Sequence, residues 1–145
     1  MKTVVAAALG ECVHVAGVLN FLRLAEAAGW RTVYLGPATP IPHVLEAARR
    51  EKADLVAVSY RLTPETGERL LGEFTEAADE LRTQGVRFAF GGTPPVAARA
   101  QAFGFFERVF GGEEPVEEVI AYLKGQPRAA LGEEDYPQTL IERIA

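Results

Sequence analysis

Residues 3–9 read TVVAAAL and residues 55–59 read LVAVS. Both runs are apolar almost throughout, which is typical of central strands that helices cover on both faces of a parallel sheet. Shorter runs rich in β-branched or apolar residues predict three more strands, at residues 32–35, 87–90 and 108–110. The stretches between these runs have helical periodicity, so strands and helices alternate along the chain.

This alternation predicts an α/β fold, because two parallel strands need a long crossover between them, which is usually a helix. Five strands and five helices fit a flavodoxin-like (Rossmann-like), doubly wound five-stranded parallel sheet with the strand order 2-1-3-4-5. The residues of the first helix that are expected to face the core are Val18, Leu19, Leu22 and Ala25. Ligands of such sheets bind beyond the carboxyl ends of the strands, so the loops after the strands are the expected functional edge.

Residues 1–125 are predicted to form one domain, and residues 126–145 a linker or helical tail. The pattern changes after Lys124, where the sequence GQPR resembles a connector. A final amphipathic stretch contains Tyr136, Leu140, Ile141 and Ile144. We expect this tail either to pack on the domain as a helix or to lead toward a further domain of a longer protein.

Composition argues against several classes of function. The chain has 145 residues, 48% of them apolar and 24% charged, which is ordinary for one globular domain. Its net charge is −5, and its 15 lysines and arginines form no basic run, which argues against a nucleic acid partner. No apolar stretch approaches the roughly 20 residues that span a membrane, so we expect no membrane partner and a cytoplasmic location. The single cysteine, Cys12, excludes an intrachain disulfide.

Three of the loops after predicted strands contain chemically distinctive residues. The first reads GECVHVAG, so that His14 can present a ring nitrogen to a ligand while Gly17 lets a bulky group approach the backbone. The third-strand loop begins SYRLTP at Ser59, and the fourth begins with Gly91 and Gly92. Small and hydroxyl residues there would open a slot between strands, although each loop alone is also compatible with ordinary turn chemistry.

Together these loops resemble the fingerprint of the cobalamin-binding domains of corrinoid methyltransferases, methionine synthase and adenosylcobalamin-dependent mutases. That fingerprint is Asp-x-His-x-x-Gly, then Ser-x-Leu, then Gly-Gly. This chain has CVHVAG at residues 12–17, SYR at 59–61 and GG at 91–92, with spacings like those of the family. The sequence LAEAAGWRTVYLG at residues 24–36 is also similar to the family's helix into its second strand. The resemblance covers residues 3–124.

The resemblance implies that the chain binds cobalamin, as adenosylcobalamin or methylcobalamin, with His14 as the lower axial metal ligand to cobalt. The dimethylbenzimidazole base would leave the metal and the freed nucleotide tail would enter the slot, which is the base-off, His-on state. Ser59 and Thr63 would hydrogen-bond the base or its linker. Gly91 and Gly92 would leave room for the ring, so a side chain at Gly92 is expected to obstruct the tail more than it harms the fold.

The chain departs from the family pattern at two positions. Cys12 stands where the family has an acidic residue, which orients the histidine ligand by accepting a hydrogen bond from its second ring nitrogen. Either Glu11 takes this role, or Cys12 takes it as a thiolate, or the histidine ligand is oriented less strictly than in the family. Arg61 replaces the leucine, and it could contact a phosphate or propionamide of the cofactor, face a partner protein, or remain solvated. Gly17 keeps its place in the pattern and would allow close packing under the corrin ring.

The function implied by the resemblance is that of the cofactor-carrying module of a mutase-like enzyme, which is not catalytic alone. A catalytic partner domain or subunit would cover the upper corrin face, and a homo-oligomer is also compatible with the sequence. The alternatives are a corrinoid methyl carrier of a methyltransferase and a cofactor-free interaction domain. Methyl carriers commonly have a four-helix segment before this domain, and here the first predicted strand begins at Thr3, which favours the mutase-like module.

Three other classes of protein with this architecture fit less well. A phospho-receiver domain needs an aspartate at the carboxyl end of the third strand, whereas Asp54 is expected at the opposite end. A flavodoxin needs a hydroxyl-rich phosphate loop after the first strand, and GECVH is not one. No Gly-x-Gly-x-x-Gly sequence follows the first strand, which argues against a dinucleotide-binding domain.

Overall fold

The structure is a computed structural model that describes residues 1–136. Within these residues the strands are β1 (Thr3–Ala8), β2 (Arg31–Tyr34), β3 (Leu55–Tyr60), β4 (Arg87–Gly92) and β5 (Arg108–Phe110). The α-helices are α1 (Ala16–Ala27), α2 (Ile41–Arg50), α3 (Pro64–Thr83), α4 (Pro94–Ala102) and α5 (Val116–Lys124). The five strands form one parallel sheet in the order β2-β1-β3-β4-β5. The predicted fold class and strand order are therefore confirmed.

The most deeply buried strands are the two whose sequences are almost entirely apolar. All six residues of β1 are buried, as are five of the six residues of β3. The edge strands β2 and β5 are partly exposed. Asp54 precedes β3 at the amino end of the sheet, where its carboxylate accepts a hydrogen bond of 2.8 Å from the Thr3 N–H. It therefore lies at the opposite edge from the loops that follow the strands.

Helices cover the sheet on both faces. Helices α2, α3 and α4 pack on one face, where their apolar side chains join Val58 and Phe90 in the larger core cluster. Helices α1 and α5 pack on the other face, where the sheet presents smaller side chains such as Ala6 and Ala89. No helix within residues 1–136 has the length and apolarity needed to cross a membrane.

A cluster of phenylalanines fills the core beneath α3. The Phe74 ring centroid lies 5.9 Å from that of Phe88, 6.5 Å from that of Phe105 and 6.2 Å from that of Phe106. Phe74 is fully buried, and the other three rings are at most 8% exposed. Because each buried aromatic ring removes a large apolar area from water, this face contributes strongly to the stability of the fold.

Helix α1 buries a face that is rotated from the one its periodicity predicts. Its buried residues are Val18, Leu22, Leu24 and Ala25. The side chain of Leu19 is 42% exposed, so its predicted place in the core is wrong. In a helix Leu19 is turned about 100° from Val18, which moves it to the flank of the buried stripe. Trp30 follows the helix, is 6% exposed, and donates a hydrogen bond of 2.9 Å from Nε1 to the Leu123 carbonyl of α5.

Strand β4 is longer than its sequence predicts. Gly91 and Gly92 pair with Ser59 and Tyr60 of β3, so these glycines are the last two residues of a strand and not the start of a loop. Glycine has a low intrinsic preference for strands, but pairing with a buried neighbour strand overrides that preference.

The tail after α5 contacts the domain as far as it is described. Residues 126–136 contain no α-helix but two 3-10 turns, at Arg128–Ala130 and Glu133–Asp135. The Lys124 ammonium forms an ion pair of 2.6 Å with the Asp135 carboxylate. Tyr136 packs against the core cluster under α1 and α5. The predicted amphipathic residues Leu140, Ile141 and Ile144 lie outside the described residues.

Candidate functional site

A cavity of about 270 Å³ opens at the carboxyl ends of the central strands, between the sheet and helices α1 and α5. The structure brings six of the predicted site residues to its wall, and they come from three separate loops or strand ends. These residues are His14, Gly17, Ser59, Arg61, Gly91 and Gly92.

The cavity exists because the sheet presents small side chains beneath α1 and α5. One row across the sheet consists of the paired alanines Ala6, Ala57 and Ala89. In the next row toward the carboxyl ends, Ser59 pairs with Gly91. Side chains alternate between the two faces of a strand, so both rows face the same side of the sheet. The missing side-chain volume leaves space under the helices.

His14 lies at the mouth of the cavity, in the loop between β1 and α1, and its side chain is exposed. Its Nδ1 atom lies 4.0 Å from Cys12 Sγ, which is a long contact even for sulfur. No residue within the described part of the chain hydrogen-bonds Nε2. A neutral imidazole that keeps its proton on Nδ1 can use Nε2 as a metal ligand.

Cys12 lies beneath this loop and is fully buried in the larger core cluster. Its backbone N–H donates to the Leu9 carbonyl at 3.0 Å, and its carbonyl accepts from the Ala38 N–H at 2.8 Å. Glu11 is exposed, and it forms no hydrogen bond with His14 in the described structure. Of the two residues considered for orienting His14, Cys12 is therefore the one that contacts it.

Ser59 places a polar atom inside the cavity wall. Its side chain is 8% exposed, and within residues 1–136 its Oγ atom has no hydrogen-bond partner. Leaving a buried hydroxyl unsatisfied costs about 1–3 kcal/mol, which a ligand that hydrogen-bonds Oγ would recover. The hydroxyl is therefore available to a ligand that has a polar atom on an otherwise apolar body.

The two glycines of β4 have different surroundings. A Cβ atom at Gly91 would meet no other atom within 4 Å, so this position borders open space in the cavity. A Cβ atom at Gly92 would lie 2.6 Å from the Tyr60 carbonyl oxygen and 3.0 Å from the Phe90 ring. The expectation that a side chain at Gly92 spares the fold is therefore wrong, because the backbone of β3 occupies that space.

Arg61 and the loop before α5 form another part of the mouth. A Cβ atom at Gly112 would lie 3.7 Å from Arg61 Nη1, so the guanidinium reaches toward this loop. Glu114 accepts hydrogen bonds from the N–H groups of Gly111 at 2.8 Å and Gly112 at 3.0 Å. Partial burial raises the pKa of the Glu114 carboxyl, but these backbone donors outweigh it and the pKa is lowered overall. Glu114 is thus held as a carboxylate by its own loop.

Thr63 does not line the cavity. It is exposed and directly precedes α3. Tyr60, at the end of the preceding strand, packs on the opposite face of β3 from Ser59 and is 2% exposed. Burial raises the pKa of the Tyr60 hydroxyl above its usual value, Cys12 and Glu11 act in the same direction, and Thr63 opposes them.

Several residues of the cavity wall were not expected from the sequence. They are Asn20, Phe21, Phe110 and Glu114. Phe21 lies one turn after Gly17 on α1, and its ring centroid is 6.3 Å from that of Phe110 at the end of β5. The helical spacing from Gly17 could have indicated Phe21, because residues four apart share a helix face. The carboxyl-end rule likewise puts Phe110, the last residue of the predicted fifth strand, at this edge. The sequence holds no comparable signal for Glu114, whose place depends on how its loop folds back.

Comparison with known proteins gives one family and one relative of nearly equal length. Residues 2–120 match the family model described as the B12 binding domain. Glutamate mutase sigma subunit 2 from Haloarcula marismortui is 30% identical over 149 residues, and the match covers 99% of this chain and 97% of that protein.

Solved structures share the fold. A cobalamin-binding protein from Desulfitobacterium hafniense DCB-2 superimposes with a TM-score of 0.68 at 21% identity, over 81% of this chain and 55% of that chain. The methanol:cobalamin methyltransferase complex MtaBC from Methanosarcina barkeri gives a TM-score of 0.65 at 24% identity, over 94% of this chain and 52% of that chain. The present chain thus spans about half the length of either structure. At such identities the likeness establishes the fold alone.

The two glycines of β4 give a matched pair of variants. We expect Gly91→Val to leave the melting temperature within a few degrees of the wild type, because its side chain enters open space and valine suits a strand. Gly92→Ala should lower the melting temperature markedly, because even a methyl group meets the Tyr60 carbonyl. Thermal unfolding followed by circular dichroism measures both. A Gly91→Val protein that unfolds as early as Gly92→Ala would show that the cavity is not open at Gly91.

Proposed function

Since this chain belongs to the B12 binding domain family, we propose that it is the cobalamin-carrying subunit of a mutase and binds the cofactor in the base-off, His-on state. The sigma subunit relative, which aligns over nearly its whole length, supports the mutase assignment. The observation that carries the binding mode is the unpartnered Ser59 hydroxyl, which lies inside a cavity with His14 at its mouth.

The residues of the cavity fit the nucleotide tail of cobalamin. His14 Nε2 would bind cobalt, for which a neutral imidazole is a suitable ligand. The Ser59 hydroxyl would donate a hydrogen bond to a ring nitrogen of the base, which is an acceptor once it has left the metal. Gly91 would leave room for the ring, and Gly17 would let the corrin approach the loop. Burying a flat aromatic base against the alanine row and Phe21 would remove apolar area from water.

Cobalamin supplies a reactive cobalt–carbon bond to the enzymes that bind it. His14 and the other cavity residues would contact the cofactor from one side, because they all lie at one edge of the sheet. The upper face is left to a catalytic partner domain or subunit, which would decide the reaction. The role of this chain is then to bind and orient the cofactor.

A corrinoid methyl carrier is the alternative function, and the cofactor form distinguishes the two. We expect the full chain, purified from its native host in the dark, to copurify with adenosylcobalamin, as a mutase subunit requires. Chromatography of the extracted corrinoid identifies its upper ligand. Methylcobalamin would instead indicate the methyl carrier. A protein that stays colourless after incubation with hydroxocobalamin and desalting would indicate a cofactor-free interaction domain.

His14 can be tested against the other histidine of the chain. We expect His14→Ala to lose the imidazole-ligated state, because no second imidazole lines the cavity. The electron paramagnetic resonance spectrum of the Co(II) form, recorded on protein with isotopically labelled histidine nitrogen, measures this, since a coordinated labelled nitrogen splits the signal differently from the unlabelled nitrogen of the cofactor's own base. His43→Ala is the control, because His43 is exposed on α2 and lies outside the cavity wall. The axial-ligand assignment fails if His14→Ala keeps the wild-type nitrogen splitting under the same conditions.

The position of Cys12 predicts that a carboxylate at this residue increases the ligation of cobalt by His14. We expect Cys12→Asp to increase the histidine-ligated fraction of bound cobalamin severalfold, because a carboxylate accepts a hydrogen bond from Nδ1 more strongly than a thiol does. The same variant should unfold at a lower temperature without cofactor, because the new charge is buried. Titration with cobalamin and thermal unfolding measure the two effects.

Glu11→Gln is the control for Cys12→Asp, and it should leave the histidine-ligated fraction unchanged, because Glu11 is exposed. Weaker ligation in Glu11→Gln, with no change in Cys12→Asp, would make Glu11 the orienting residue instead.

A further inference from the structure

Arg61 brings a cation to the mouth of the cavity. It follows β3 directly, it is exposed, and it lines the cavity. Its Nη1 atom approaches Gly112, so the side chain extends from the end of β3 toward the loop before α5. Within residues 1–136 no carboxylate forms an ion pair with it. Its five N–H donors are therefore available to a ligand that enters the cavity.

The acidic residue of the neighbouring loop forms no ion pair with Arg61 within residues 1–136. Glu114 also lines the cavity, but its two carboxylate oxygens accept hydrogen bonds from Gly111 and Gly112. The amino end of α1 opens toward the same mouth without a side-chain cap, and the helix dipole there is positive. The guanidinium of Arg61 and the amino end of α1 are therefore the groups at the mouth that the described residues leave open to an anion.

The position of Arg61 relative to Ser59 indicates which group it meets. Arg61 lies two residues beyond Ser59 toward the mouth, which is at most about 7 Å along the chain. The tail of cobalamin has a fixed covalent order, in which a phosphodiester separates the corrin from the ribose and base. With the corrin at His14 and the base at Ser59, the group between them is this phosphodiester, which is the only anion of the tail.

We propose that Arg61 binds the phosphodiester of the nucleotide tail and makes the chain selective for corrinoids that carry a phosphate. This inference rests on the proposed binding of cobalamin with its tail in the cavity. A guanidinium suits the task, because its planar fork can donate two parallel hydrogen bonds to one phosphate. The propionamides of the corrin are neutral, so they would gain less from a cation than the phosphodiester does.

Three corrinoids separate the groups of the tail. Cobalamin has the phosphate and the base, cobinamide phosphate has only the phosphate, and cobinamide has neither. The affinities of wild type, Arg61→Leu, Arg61→Lys and Ser59→Ala for each, in the same axial-ligand form, are measured by equilibrium dialysis. Arg61→Leu should weaken binding of cobalamin and cobinamide phosphate by about tenfold and leave cobinamide unchanged. Arg61→Lys should retain part of the affinity, because it keeps the charge but not the fork.

Ser59→Ala gives the complementary pattern, because it should weaken the binding of cobalamin alone. Salt supplies a second readout, since an exposed ionic contact is screened: the affinity of wild type for cobalamin should fall with ionic strength more steeply than that of Arg61→Leu.

Two outcomes would overturn the role of Arg61 and leave cobalamin binding intact. An equal loss for all three corrinoids in Arg61→Leu would mean that the residue contacts the corrin or supports the fold. Unchanged affinity for all three would mean that it faces solvent or a partner protein. Wild-type protein that retains none of the corrinoids would instead overturn the proposed function, and this inference with it.

Discussion

The register of the parallel sheet is the constraint on which the cavity depends. Ser59 pairs with Ala8 on one side and with Gly91 on the other, and the alanine row lies directly below. Because side chains alternate between faces, a slip of one residue would turn Val58 and Phe90 toward α1 and α5 and fill the space. The same slip would move the Ser59 hydroxyl to the opposite face. The cavity, the Ser59 hydroxyl in its wall and the open space at Gly91 are thus all consequences of the register of the sheet.

The sequence predicts the parts of this arrangement that depend on local pattern. Apolar runs and helical periodicity predict the alternation of strands and helices, and the flavodoxin-like fold that this alternation fits gives the strand order. The carboxyl-end rule places His14, Ser59 and Gly91 at one edge. The sequence pattern does not predict where a strand ends when pairing with a neighbouring strand extends it. Gly92 is therefore part of β4, and a side chain there meets the backbone of β3. Nor does it predict Glu114, because the contacts of that carboxylate depend on how its loop folds back.

The loop that holds His14 is positioned without a buried carboxylate at residue 12. A buried acid at this place would need partners for its charge, whereas a neutral thiol is desolvated at little cost. The loop is instead fixed by its backbone, since the N–H and the carbonyl of Cys12 are both hydrogen-bonded. The orientation of His14 then follows from the loop conformation more than from the 4.0 Å contact of Nδ1 with sulfur.

Stability and binding are divided between the two faces of the sheet. The phenylalanine cluster under α3 packs on the face opposite the cavity, where a dense core compensates for the space that the small residues leave under α1 and α5. A side chain that points into the cavity, as at Gly91, therefore meets open space and disturbs the fold little. A side chain that points toward the dense core, as at Gly92, does the reverse. Substitutions at adjacent residues of one strand can thus have opposite effects, because the pleat directs their side chains to opposite faces of the sheet.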